Sequence, residues 1–169
     1  MPRTLRELLD TLPQRGRVEW IGLRPARSAP MHHVTAVEAT IHGGLDGDRY
    51  RGRSGERQVT LMQAEHLAAI GHFLAHPDAV PPEALRRNLV VSGINLLALK
   101  GQQFRMGEAL LEYTGACHPC SRMEENFGPG GYNAMRGHGG ITAKVIEGGT
   151  IAVGDVVSLI VSSNEPDHE

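Results

Sequence analysis

Aromatic residues and cysteines are scarce in this chain, and neither apolar residues nor charges of one sign form long runs. Only 4% of its 169 residues are Phe, Trp or Tyr, and the net charge is −2. An extended nucleic-acid groove needs basic tracks and stacking platforms, so nucleic acid is not an expected partner. No segment approaches the roughly 18 consecutive apolar residues of a membrane span, and Met1-Pro2-Arg3-Thr4 lacks the apolar core of a signal peptide. The expectation is a soluble, cytoplasmic chain with no membrane partner. Two cysteines make no disulfide framework, and a chain of this size buries enough core to need none. A single domain over residues 1–169 follows from length.

Glycine, by contrast, is abundant: 21 of 169 residues, where about 7% is usual. The glycines punctuate short apolar stretches, which predicts many turns and hence many strands. Thr4-Leu5-Arg6-Glu7 has the capping-box form, and Leu5, Leu8, Leu9 and Leu12 fall at helical spacing before Pro13, predicting a helix over 4–12. Strands are predicted at 18–23, 34–41, 58–62, 89–92, 109–113, 141–147 and 155–161. A longer helix starts near Gln63, with Leu67, Ile70, Gly71 and Leu74 on one face and Pro77, Pro81 and Pro82 beyond it. Strands joined by a few residues, as at Gly148-Gly149-Thr150, must be antiparallel. The predicted fold is a mainly β, closed, mostly antiparallel barrel over about 17–161, with a few peripheral helices and a frayed tail at 162–169.

Chemistry concentrates at Cys117-His118-Pro119-Cys120, between an apolar strand and the short helical stretch 121–127. A helix start, with Arg122 two residues on, favours a thiolate at Cys120, as nucleophile or metal ligand. A thiol–disulfide motif would need a long helix inside a βαβ unit, whereas Gly128-Pro129-Gly130-Gly131 ends this one after about two turns. A structural zinc site would need a second ligand pair, and nothing in the sequence ties His72 and His76 to the cysteines. Two inert buried cysteines are the plain alternative. The second signal is arginine beside turns: Arg24-Pro25-Ala26-Arg27-Ser28, Gly47-Asp48-Arg49-Tyr50 and Arg86-Arg87-Asn88. Guanidinium groups so placed can bind an anion bidentately, or can be solvated surface charges. Gly115, Gly137, Gly139 and Gly140 would let backbone approach a planar ligand, and His118 and His138 are candidate proton donors because histidine as a residue type suits proton transfer near neutral pH.

In order along the chain, Gly44-Leu45-Asp46-Gly47-Asp48-Arg49-Tyr50, Arg57-Gln58-Val59-Thr60-Leu61, Arg86-Arg87-Asn88-Leu89-Val90-Val91-Ser92-Gly93, Cys117-His118-Pro119-Cys120 and Gly149-Thr150-Ile151-Ala152-Val153-Gly154-Asp155 resemble the MOSC domain, the C-terminal module of molybdenum cofactor sulfurases. The resemblance runs from about residue 18 to 160 and implies a β-barrel that binds the molybdenum cofactor, with Cys120 holding the metal. Similar stand-alone bacterial and mitochondrial proteins reduce N-hydroxylated compounds. By the same resemblance Arg27, Ser28, Arg49, Arg86 and Asn88 meet the cofactor. Arg87 stands where relatives have proline, so it joins the candidates together with Arg122. The pyridoxal-phosphate desulfurase domain of the fused sulfurases has no counterpart, so pyridoxal phosphate is not expected.

The resulting expectation is an oxidoreductase that removes oxygen from a small N-hydroxylated substrate such as a hydroxylaminopurine or amidoxime. Cys120, His118 and His138 are its candidate catalytic residues. The chain has no dinucleotide fingerprint and no haem-type Cys-x-x-Cys-His, so electrons would come from a separate flavin or iron–sulfur reductase. The alternative is a non-catalytic carrier of the cofactor or of sulfur on Cys120. A homodimer is compatible with either.

Overall fold

Short β-branched runs bounded by glycine turns become strands, and the helices fill the connections between them. The structure is a computed structural model that describes residues 1–49 and 55–160. The expected tail 162–169, residue 161 and Tyr50 lie outside the described residues. The strands are β1 Gly16–Leu23, β2 His32–Val34, β3 Ala36–Thr40, β4 Gly44–Leu45, β5 Val59–Gln63, β6 Leu89–Ser92, β7 Gln103–Met106, β8 Ala109–Ala116, β9 Ile141–Glu147, β10 Gly149–Ala152 and β11 Val156–Leu159. The helices are α1 Leu5–Leu9, α2 Ala64–Phe73, α3 Pro82–Leu85, α4 Ser121–Phe127 and α5 Gly131–Met135, with a 3-10 turn at Leu96–Leu99.

Seven strands close into a barrel in the order β1-β6-β5-β9-β8-β7-β11, and β11 returns to β1 through Gly16↔Val157 and Arg17↔Val156. Every neighbouring pair is antiparallel except β5–β6, where Leu61 faces Leu89 in a parallel ladder. That pair needs a long crossover, and α2 and α3 provide it. The mostly antiparallel closed barrel with short helices is therefore the observed fold.

Two apolar cores explain why β5 and β6 lack polar alternation. Val59, Leu61, Leu89 and Val91 face the barrel interior with Phe104 and Leu111. Met62 and Val90 face outward, into a second core with Ile70 of α2, Leu85 of α3, Met123 of α4 and Met135 of α5. Strands covered on both faces read as continuous apolar runs. The outer core also fixes α4 and α5, and with them the loop that carries Cys120.

Several boundaries differ from expectation. The strand expected over 34–41 is two strands: β2 extends the barrel sheet beside β1, while β3 lies between β10 and β4 in a separate three-stranded sheet. The join at Gly148 is not a hairpin, because β10 pairs with β3 rather than β9. A Cβ on Gly148 would lie 2.8 Å from the Ala39 carbonyl oxygen, so the chain passes there too close to β3 for a side chain. The N-terminal helix has the expected capping box, Glu7 N–H to Thr4 Oγ1 at 3.2 Å and Thr4 N–H to Glu7 Oε2 at 2.6 Å. It ends at Leu9 rather than 12, and Leu5, Leu8 and Leu9 stay exposed.

Candidate functional site

Loops from five places along the chain enclose a cavity of about 260 Å³. Its wall carries seven arginines: Arg24, Arg27, Arg49, Arg57, Arg86, Arg87 and Arg122. Ser28, His118 and Cys120 also line it. Six of the seven residues expected to meet an anionic cofactor are thus together. The seventh, Asn88, is not in the wall. It is fully buried, with Oδ1 accepting from Thr60 N–H and Thr60 Oγ1 at 3.1 Å and Nδ2 donating to the Gly22 carbonyl at 3.1 Å. Its polar atoms stitch β1, β5 and β6 together, so it supports the site from below.

The arginines are held differently, and the differences decide what each can do. Arg24 is neutralised: Nε and Nη2 donate to the two oxygens of fully buried Asp48 at 3.2 and 3.0 Å, and the Arg24 N–H donates to Oδ1 at 2.7 Å. Arg86 caps α3 in the left-handed region, φ 60°, and donates to the Ala29 carbonyl. Burial lowers its pKa, the Arg122 and Arg24 charges lower it further, and Asp48 partly offsets them. A guanidinium crowded by like charges is stabilised by an anion. Arg122 donates to Ser28 Oγ at 3.2 Å, and Ser28 itself sits at φ 62°.

Arg87 carries the sharpest observation. It is 7% exposed, and it donates from Nε to the Gly139 carbonyl at 2.8 Å and from Nη1 to the Leu85 carbonyl at 3.0 Å. Among the described residues its buried Nη2 has no partner. Buried polar atoms are nearly always satisfied, so this donor is an exception, enclosed by protein behind the surface of the arginine wall.

The two cysteines, both free thiols, have different surroundings. Cys120 is exposed and is the N-cap of α4, yet its side chain makes no capping bond, which leaves Sγ available. Cys117 is 3% exposed, accepts from Arg57 Nη2 at 3.9 Å, and is anchored by its N–H to the Gly140 carbonyl at 2.9 Å. It lines a second cavity, of about 440 Å³, and His118 lines both. Inert burial thus describes Cys117 and not Cys120. His72 and His76 are exposed, and among the described residues no three His, Cys, Asp or Glu gather as metal ligands.

His138 is not in the wall of the arginine cavity. Its Nδ1 lies 3.4 Å from Nδ1 of His66, with the rings edge to face at 4.6 Å. His66, which sequence reasoning missed, lines the second cavity. Two of the four glycines act otherwise than expected: a Cβ on Gly139 would lie 2.0 Å from the Cys117 carbonyl oxygen, and one on Gly140 1.9 Å from that of Leu61. Protein backbone, not ligand, occupies that space. Arg24 belongs to an arginine turn that the sequence marks but is not itself expected to meet the cofactor, and Arg57, also in the wall, is not among the expected site residues.

The class the structure defines is a closed barrel that presents an exposed free cysteine beside an arginine-walled cavity. The chain belongs to the MOSC domain family, whose domain matches residues 38–158. MOSC domains are linked to the molybdenum cofactor and are often associated with redox enzymes. Among solved structures, the YuaD protein from Bacillus subtilis is similar with a TM-score of 0.74 at 19% identity, over 88% of this chain and 98% of that one. YiiM from Geobacillus stearothermophilus is similar with a TM-score of 0.67 at 16% identity, over 86% and 75%. YiiM from Escherichia coli gives 0.66 at 21% identity, over 86% and 70%. At these identities the likeness is one of fold. No curated protein matches the chain. Among the described residues no helix is long and apolar enough to cross a membrane.

Proposed function

We propose that this chain is a molybdenum-cofactor-dependent oxidoreductase of the cytoplasm that removes oxygen from N-hydroxylated compounds such as hydroxylaminopurines or amidoximes. The observation that carries the reading is the wall of seven arginines beside the exposed, free Cys120 sulfur. The cofactor fits this donor set, since its phosphate suits guanidinium forks and its sulfur-rich metal suits a thiolate. Arg86, Arg87 and Arg122 would hold the phosphate, Arg27, Ser28 and Arg49 the neighbouring part, and Cys120 the metal. When bound, the cofactor would supply a two-electron centre for cleaving the N–O bond. His118, in the same wall, would deliver a proton to the departing oxygen. The reaction balances as R–NHOH + 2e⁻ + 2H⁺ → R–NH₂ + H₂O, with the electrons from a separate flavin or iron–sulfur reductase. Pyridoxal phosphate has no part in it.

The test is molybdenum content by elemental mass spectrometry in protein purified anaerobically from a cofactor-producing host. Near-stoichiometric metal is expected, and it should vanish in Cys120→Ala and in a cofactor-deficient host. Folded wild-type protein without metal would overturn the reading. Loaded protein that consumes no electrons with any N-hydroxylated base or amidoxime would leave the carrier function in place of the reductase.

A further inference from the structure

The second cavity is built of different material from the first. It lies among the loop from Ala116 to Pro119, the glycine turn 137–140 and the 3-10 turn Leu96–Leu99. Among the described residues its lining contains no Arg, Lys, Asp or Glu, against seven arginines in the neighbouring wall. Leu96, Leu97, Tyr113 and Ile141 give it apolar sides. Gln63 is already used by the protein: Oε1 accepts from Leu96 N–H at 2.9 Å, and Nε2 donates to the Ile94 carbonyl at 2.9 Å. His66 lines the cavity, and its Nδ1 lies 3.4 Å from Nδ1 of His138. His118 belongs to both walls, so this cavity adjoins the one that contains Cys120.

We propose that this uncharged cavity is the substrate pocket, where a flat, neutral heteroaromatic ring lies against Leu97 and Tyr113 and hydrogen-bonds His66, with His138 as the positioning residue behind it. The identity of the ring as that of an N-hydroxylated compound rests on the reductase reading; the pocket and its preference for neutral ligands do not. Two anions cannot share the arginine wall without competing, and a phosphate placed in the second cavity would be desolvated with no cation among the described lining residues to meet it. The division of charge therefore separates a free base from its nucleotide. Burial, then the His138 charge, lowers the His66 pKa, with Glu65 partly offsetting them. That direction favours the uncharged imidazole, in keeping with a neutral ligand.

The probes are 6-N-hydroxylaminopurine and its ribonucleoside 5′-monophosphate, titrated into the isotope-labelled full-length chain from a cofactor-deficient host and followed by amide NMR. The base should move the amides of Leu97, Tyr113 and Ile141. The monophosphate should bind there at least about tenfold more weakly. Leu97 is 65% exposed, so Leu97→Asp places a carboxylate in the lining at little risk to folding. That variant should weaken base binding at least about tenfold, raise KM in loaded protein by a similar factor, and leave molybdenum content unchanged. His66→Gln should raise KM more than it lowers kcat. Base-induced shifts confined to residues of the arginine cavity, or wild-type affinity in Leu97→Asp, would overturn the pocket while leaving the cofactor reading intact. Base binding in the uncharged cavity of a protein that takes up no molybdenum would do the reverse.

Discussion

A carboxylate with no solvent exposure needs partners for both oxygens, and Asp48 finds them in a single residue, Arg24, through its guanidinium fork and its backbone N–H. Removing the carboxylate would strand a guanidinium whose remaining contact is Asn88 Oδ1 at 3.4 Å. Breaking a buried pair from one side typically costs about 3 kcal/mol or more, so Asp48→Ala is expected to lower unfolding stability by about 3 kcal/mol in urea titrations. Asp48→Asn, which keeps acceptor and shape, should lose distinctly less. The same residues show what the chain discloses at this scale. The arginines of the cavity wall are recognisable because each stands beside a turn, and Cys120 because it precedes a helix. What each arginine is free to do is not recognisable: Arg24 is spent on Asp48 and Arg87 is left one donor short, and both outcomes depend on partners far along the chain. The His66–His138 contact is invisible for the same reason, since 72 residues separate the two rings.

Among the elements, α4 and α5 are the pair that sets the cysteine loop, and one side chain joins them. Glu124 accepts from Gly130 N–H at 2.8 Å and from Tyr132 N–H at 2.9 Å, so a carboxylate on α4 satisfies donors at the start of α5. Those two bonds hold its pKa below the ordinary carboxylate value, the one from Tyr132 more than the one from Gly130, with burial opposing them slightly. A depressed carboxylate pKa contributes stability that is fully present above the unfolded value of 4.5 and is lost as pH falls through the folded value. Glu124→Gln should therefore remove part of the stability decline seen below pH 4.5, and urea midpoints measured against pH would show it. In the variant, hydrogen exchange at the Gly130 and Tyr132 amides should quicken. The expected helix over 121–127 ends where Gly128 and Pro129 end it, yet α5, five residues long, passes unnoticed because it is too short to display a period. β7 escapes for the same reason: four residues give two buried positions, Phe104 and Met106, and no pattern. β5 and β6 are legible as strands, but the second core behind them is not, since a continuous apolar run does not say that helices cover its outer face.

At the scale of the whole molecule, barrel closure follows from counting short joins, whereas the order of strands around the ring does not. Adjacent β9 and β10 go to different sheets, and β1 meets β11 across nearly the full length of the chain. That meeting is brief. Two residue pairs form the β1–β11 ladder, extended by Val18 N–H to the Asp155 carbonyl at 2.9 Å and Gly154 N–H to the Val18 carbonyl at 2.7 Å. β8 and β9, by comparison, pair from Leu110↔Glu147 to Ala116↔Ile141, and they carry the cysteine loop and the glycine turn at the far side of the ring. A short seam opens at lower cost than a long ladder, because fewer bonds and less buried apolar surface are given up. Native-state hydrogen exchange is expected to find the Val18 and Gly154 amides opening at a free energy below that of the β8–β9 ladder, with the difference persisting in dilute denaturant. Equal protection at both places would mean that the ring opens only as a whole, so that closure, not the long ladder, is what holds the loops of the site in register.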